Sequence, residues 1–289
     1  MRIFEPSASS GAKAEAAAER QRSFPVAVAY LLTAVVAFVS LLGIALPGIY
    51  AQETPSWAAQ GVGQDCVDLM LTVPWLSITG WLAARRSRRG LLLLAGAQLY
   101  CLYEFAIYAF ALHFNALFLA YCAALGLSFF ALAATAILLS NIDIRRWYPA
   151  RAAESSAGAF LIAVGLLFAA LWLSEIVPAL LQGNTPRSIR EAGLPTNPVY
   201  VLDLSVILPL HVVAGWALLK RRALGYALGP VLLGFDTLMA LSIAGMLVVL
   251  RLRRMDASLE VTACMLAVAA ASAGVLTLML RGFELERKS

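Results

Sequence analysis

Apolar runs of about 20 residues recur along the chain after residue 24, separated by short polar or arginine-bearing gaps. At a rise of ~1.5 Å per residue, each run is long enough to cross a hydrocarbon layer of roughly 30 Å as a helix. The pattern predicts eight spanning helices, at about 25–49, 63–84, 91–112, 115–139, 156–181, 198–219, 226–250 and 258–280. The expected fold class is an all-α polytopic membrane protein. The first run is too long for the core of a signal peptide and reads as a retained span. Residues 1–24 form a polar tail, with room for a short helix through AKAEAAAERQR.

Part of the pattern occurs twice. Residues 68–90 read DLMLTVPWLSITGWLAARRSRRG and residues 203–225 read DLSVILPLHVVAGWALLKRRALG. At a constant offset of 135 the Asp-Leu, the Pro, the Gly-Trp, an Arg and the closing Gly coincide. Upstream, Pro47 with Thr54-Pro55 matches Pro178 with Thr185-Pro186 at an offset of 131, so the second half carries four extra residues in its loop. A parallel tandem repeat of four plus four helices is expected, related by an axis along the membrane normal. The repeats would span 25–139 and 156–281, joined by a connector at 140–155 and followed by a C-terminus at 282–289. Convergence is the competing account: Trp and Arg are common at helix ends, but it leaves the matched Asp and Pro unexplained.

Composition agrees with the membrane reading. Only 13% of residues are charged and mean hydropathy is +0.81, whereas a soluble domain carries about a quarter charged residues. The net charge of +5 does not signal nucleic-acid binding, because the basic residues cluster at the ends of apolar runs, where they set orientation. Both termini are expected on the cytoplasmic side of a bacterial inner membrane. Of 22 Lys and Arg, only Arg187, Arg190, Arg251, Arg253 and Arg254 then fall outside. The RLRR run at 251–254 is the exception to the rule. Cys66, Cys101, Cys122 and Cys264 lie in different predicted helices without CxxC spacing and read as small buried hydrophobes.

The candidate chemistry is carboxylate chemistry. An ionisable group inside a span costs roughly 2.5–3.5 kcal/mol at a helix centre and needs a partner or a wet cavity. Asp68 and Asp203 near the starts of the second and sixth helices, Glu104 near the end of the third and Glu175 near the end of the fifth all sit roughly 7–12 Å deep. Asp65 adds a fifth carboxyl at the rim. These side chains complement a helix dipole, join helices by hydrogen bonds, or line a pocket open to the outside. In the third helix Tyr100, Glu104 and Tyr108 share a face at i, i+4 and i+8, with Tyr103 beside them. Phenols that donate to carboxylates, and aromatic faces, suit a cation. Trp172, one turn before Glu175, could line the same space.

His211 and Asp236 fall at similar depth on consecutive antiparallel helices, as a proton relay or as a satisfied buried pair. A short helix through RSIREAGL in the loop 182–197 would place Arg187 and Arg190 over the carboxylates or simply cap the surface. There is no Walker loop, GxGxxG or HExxH motif, and the two histidines are too few for a histidine-rich metal or haem site. No cofactor or metal is expected. The expected partners are membrane lipid and a small cationic solute or proton.

Three segments carry a resemblance: GQD near the second helix, FNALFLAY opening the fourth and TNPVYVLDL opening the sixth. They resemble segments of multi-pass bacterial membrane proteins of unassigned function, which implies the architecture but no activity. Three functions fit these residues. The first is binding or transport of a small cationic or protonatable solute. The second is an intramembrane enzyme acting on a lipid or lipid-linked substrate by carboxylate acid/base chemistry. The third is a structural or assembly subunit of a membrane complex.

Overall fold

The computed structural model describes residues 8–140, 143–148 and 153–281, with side chains from Phe24 onward. Helix is the only regular structure among them. Eight helices are long and apolar enough to cross a membrane, and the chain is a multi-pass integral membrane protein. In order these are α1 (Ala8–Ala45), α2 (Pro55–Ala84), α3 (Arg88–Ala111), α4 (Phe118–Ser140), α5 (Glu154–Leu181), α6 (Pro198–Leu219), α7 (Ala223–Leu252) and α8 (Leu259–Leu280). A short helix, Arg187–Ala192, precedes α6. The loops after α2, α4 and α6 define a basic face, and those after α1, α3, α5 and α7 the opposite, loop face. RLRR belongs to the loop face, where Arg251 donates to the Ala257 carbonyl at 2.9 Å.

The boundaries differ from the apolar pattern at two places. Helix α1 begins at Ala8, runs through Pro25 and stops at Ala45. Helix α2 begins at Pro55, not near 63. The start signal is Thr54, whose side chain accepts from the Trp57 amide, followed by Pro at the first helical position. Gly61 and Gly63 make this stretch look like loop, but Gly63 is there for packing: a Cβ on it would lie 2.9 Å from the Met246 Cα of α7. Asp68 consequently sits near the middle of α2 rather than near its end. The cysteines also divide, because Cys101 is buried while Cys122 and Cys264 face outward.

Consecutive helices pack on one another in each half, and only the first half also pairs its first and last helices closely. α2 packs on α1 and α3, and α4 returns to α1; α6 packs on α5 and α7, and α8 follows α7. The halves meet where α7 lies against α2 and α3, and where the start of α6 touches α3. At the α3–α7 crossing a Cβ on Gly96 would approach the Val231 carbonyl oxygen to 2.9 Å and the Gly234 Cα to 3.3 Å. Local irregularities recur at the offset of 135. Single π-turns occupy Asp68–Thr72 and Asp203–Ile207, each ahead of a proline, Pro74 or Pro209. A proline cannot donate to the carbonyl four residues back and crowds it, and widening the preceding turn relieves that clash. Arg86 and Arg221, one per half, end α2 and α6 in the left-handed region at φ 63° and 52°.

The crossing gives a test. Gly96→Val must separate α3 from α7 and is expected to cost about 1–3 kcal/mol, read as a lowered thermal unfolding midpoint in detergent. Gly126→Val, with nothing within 4 Å of its Cβ position, should leave the midpoint near wild type.

Candidate functional site

Two aspartates that align in sequence have unlike surroundings. Asp68 is 1% exposed and enclosed by hydrogen bonds. Its Oδ1 accepts from Gln64 Nε2 at 3.1 Å and Thr72 Oγ1 at 2.8 Å, and its Oδ2 from Ser40 Oγ of α1 at 3.5 Å. Gln64 and Thr72 lie four residues before and after Asp68, so one helix face delivers both. The Gln64 amide also meets Tyr100 at 2.6 Å and Glu104 Oε1 at 3.2 Å, while its carbonyl accepts from Ser242 of α7. Glu104 and Asp68 share the Gln64 amide, and Glu104 Oε2 has no hydrogen-bond partner. One amide thus ties α2, α3 and α7 together.

Asp65 belongs to a neighbouring cluster. It is wholly buried and accepts from Tyr50 at 2.7 Å and Tyr108 at 3.1 Å. Burial, together with the adjacent carboxyl, raises the Tyr50 phenol far above its ordinary pKa, so it serves as a donor. Asp65, placed at the rim by the expected start of α2, is interior because that helix begins earlier.

Asp203 is different. The positions matching Gln64 and Thr72 are Val199 and Ile207, which cannot bond to it. Its partner comes from another helix: Trp172 Nε1 of α5 donates at 2.7 Å, and Tyr103 of α3 shares the cavity wall with it. The four extra residues upstream break the helix that remains continuous in the first half. Gly193 takes φ 71° after the short helix, and Asn197 restarts α6 by capping the Val199 amide at 2.9 Å, with Pro198 following.

A cavity of about 290 Å³ lies beside Asp203, between the halves, and its lining reaches Trp57 and Leu112 at the loop-face ends of α2 and α3. Its polar lining includes Gln64, Tyr100, Tyr103, Glu104, Asp203, His211 and Asp236; no lysine or arginine lines it. Phe168, Phe235, Met239, Ile243 and Met265 make much of the apolar wall. His211 Nε2 meets Asp236 Oδ1 at 2.8 Å and its Nδ1 meets the Ile207 carbonyl at 2.7 Å, so both ring nitrogens are engaged. Asp236 Oδ2 has no hydrogen-bond partner although the residue is 6% exposed. An unsatisfied buried carboxylate oxygen costs about 1–3 kcal/mol or more, and on a cavity wall it is a ready acceptor.

Of the residues expected from sequence, Tyr100, Glu104, Tyr108 and Asp203 line the cavity, as do His211 and Asp236. Asp68 stands behind Glu104, and Asp65 behind Tyr108. Glu175 lies outside the lining: it accepts from the Ser188 amide at 2.9 Å and from Tyr200, holding the short helix to α5 and α6. Arg187 pairs with Glu191 at 2.6 Å, and Arg190 donates to the Thr185 carbonyl at 3.1 Å. The organising roles of Gln64 and Ser242 escaped the sequence reading. The spacing of Gln64 to Asp68 was the available signal; Ser242 had none.

Comparison of the chain with protein-family models, curated proteins and solved structures gives no match. The function rests on geometry.

The unequal aspartates separate experimentally. Gln64→Leu strips donors from enclosed Asp68 and should cost about 1–3 kcal/mol, read in thermal unfolding. Trp172→Phe leaves Asp203 with Tyr103 and the cavity, and should shift the midpoint less.

Proposed function

We propose that this protein binds, and carries across the membrane, a small cationic or protonatable solute. The site is the cavity between two halves that arose by duplication. Asp203 is the principal counter-charge and Glu104 the second, with Tyr100 and Tyr103 as hydrogen-bonding neighbours. The observation that carries the reading is a cavity lined by three carboxyl side chains, Glu104, Asp203 and Asp236, whose one basic neighbour in the lining, His211, is already paired with Asp236. Such groups in a membrane interior mark ion and substrate paths. The aromatic wall suits a cation further, through the negative faces of Trp172, Tyr103 and Phe168.

In this reading the first aspartate became a joint and the second a binding group. The recurrence of π-turns, prolines and left-handed arginines at one offset supports duplication. His211 and Asp236 handle the proton that exchanges with the solute, since both line the cavity and touch each other. The protein sits in a bacterial inner membrane with both termini cytoplasmic, as the arginine distribution suggests, and the cavity then faces outward.

The test is uptake of candidate cations into proteoliposomes under an imposed proton gradient. Asp203→Asn is expected to abolish uptake and Glu104→Gln to reduce it at least tenfold, while Glu260→Gln, at the exposed start of α8, stays at wild-type rate. Undiminished uptake in Asp203→Asn would falsify the assignment.

A further inference from the structure

The halves part company at one seam. In the first, α1 packs along α4; in the second, the corresponding α5 and α8 touch only briefly. Both nevertheless line the cavity. Val164, Phe168 and Trp172 follow one another at four-residue spacing along α5, and Met265 and Val268 lie one turn apart on α8. The outward sides of these helices are apolar. Leu166, Leu167 and Leu171 of α5 are 58%, 66% and 51% exposed, and Leu266 of α8 is 49% exposed. Neither helix carries a charged residue along this stretch, between Glu154 and Glu175 on α5 or between Glu260 and Arg281 after α8. The wall between cavity and surroundings is therefore two apolar helices in slight contact.

The cavity itself is polarised. Its carboxyls come from α3, α6 and α7, while the α5 and α8 contributions are apolar apart from the Trp172 indole N–H, which is spent on Asp203. A small hydrophilic ion would meet charge on one side and leave hydrocarbon wall unused on the other. At about 30 Å³ per water-sized group, a cavity of 290 Å³ holds roughly ten heavy atoms. Asp236 Oδ2, buried and unpartnered on the polar side, offers a second acceptor for a nitrogen carrying several N–H bonds.

We infer that the solute is an amphipathic amine, a protonated nitrogen on a short hydrocarbon chain or ring, and that it enters from the bilayer through the α5–α8 seam. The inference rests on the reading of the cavity as a cation site. The nitrogen docks at Asp203, with Glu104 as the second counter-charge and the unpartnered Asp236 Oδ2 as a further acceptor, and the hydrocarbon lies along Phe168, Met265 and Val268. Entry from the bilayer spares the amine's tail any passage through water, and the cavity supplies the counter-charge that the bilayer lacks.

Equilibrium binding of radiolabelled methylammonium, butylammonium and octylammonium to the full chain in nanodiscs tests this, with protein-free nanodiscs subtracted for partitioning. At about fourfold per buried methylene, octylammonium should bind on the order of 100-fold tighter than butylammonium, and methylammonium should show no saturable binding. Asp203→Asn should remove the saturable component, and Phe168→Ala should weaken octylammonium several-fold. Leu266→Trp, adding bulk to the outward side of α8 away from the cavity lining, should slow octylammonium association several-fold with its equilibrium affinity kept. Leu167→Trp on α5 serves the same purpose if Leu266→Trp unfolds. Methylammonium binding as tightly as octylammonium, in an Asp203-dependent manner, overturns this inference and leaves the cation site standing. Unchanged association rates in a folded seam variant overturn the lateral route. No Asp203-dependent binding of any amine removes both readings.

Discussion

A carboxyl group inside a bundle of apolar helices must be enclosed by donors or open onto polar space, and the interior of this protein is arranged around that constraint. Asp68 and Asp65 are enclosed, by Gln64, Thr72 and Ser40 in one case and by two phenols in the other. The donors come from α1, α2, α3 and, through Tyr50, the loop between α1 and α2, so satisfying the carboxyls also joins these elements. Gln64 extends the arrangement to α7 through Ser242. Removing one member leaves the others buried without partners, which gives such a network more mechanical consequence than any single bond in it.

The second half meets the same constraint by the other route. With Val199 and Ile207 in place of Gln64 and Thr72, α6 cannot satisfy Asp203 from its own face. The break at Gly193–Asn197 also ends the helical extension that covers the first aspartate. Trp172 supplies a donor from a neighbouring helix, and the remaining space is the cavity, with Tyr103 on its wall. The same backbone device, a π-turn ahead of a proline, thus accompanies an enclosed aspartate in one half and an aspartate on a cavity wall in the other. The slight contact of α5 with α8, against the close packing of α1 on α4, is a further difference between the halves.

Depth and direction are different kinds of information. Counting residues along a helix gives depth, and by that measure Asp68, Asp203, Glu104 and Glu175 formed one set. Rotation about the helix axis and the identity of the neighbour decided which of them meet. Glu104 and Asp203 face the cavity, Asp68 lies behind Glu104, and Glu175 turns toward the short helix and its Ser188 amide. The Tyr100–Glu104 face was legible because it depends only on helical period. The partners of Gln64 were not, because Ser242 lies 178 residues away in sequence.

The sequence by itself determined the eight apolar helices, the shared spacing of aspartate, proline and arginine, and the difference between Gln64 and Val199 beside the two aspartates. These follow from hydropathy, from steric rules for proline and from a helical period that needs no knowledge of neighbours. Thr54 and Pro55 signal the start of α2 locally, and tertiary structure decided that the helix continues through Gly61 and Gly63, where contact of Gly63 with α7 outweighs the poor helix propensity of glycine. It also decided that Asp65 is interior, and that His211 and Asp236 meet on the wall of the cavity holding Asp203. Those outcomes depend on how eight helices rotate and lean against one another. That is settled by close packing and by the pairing of buried polar groups across the bundle.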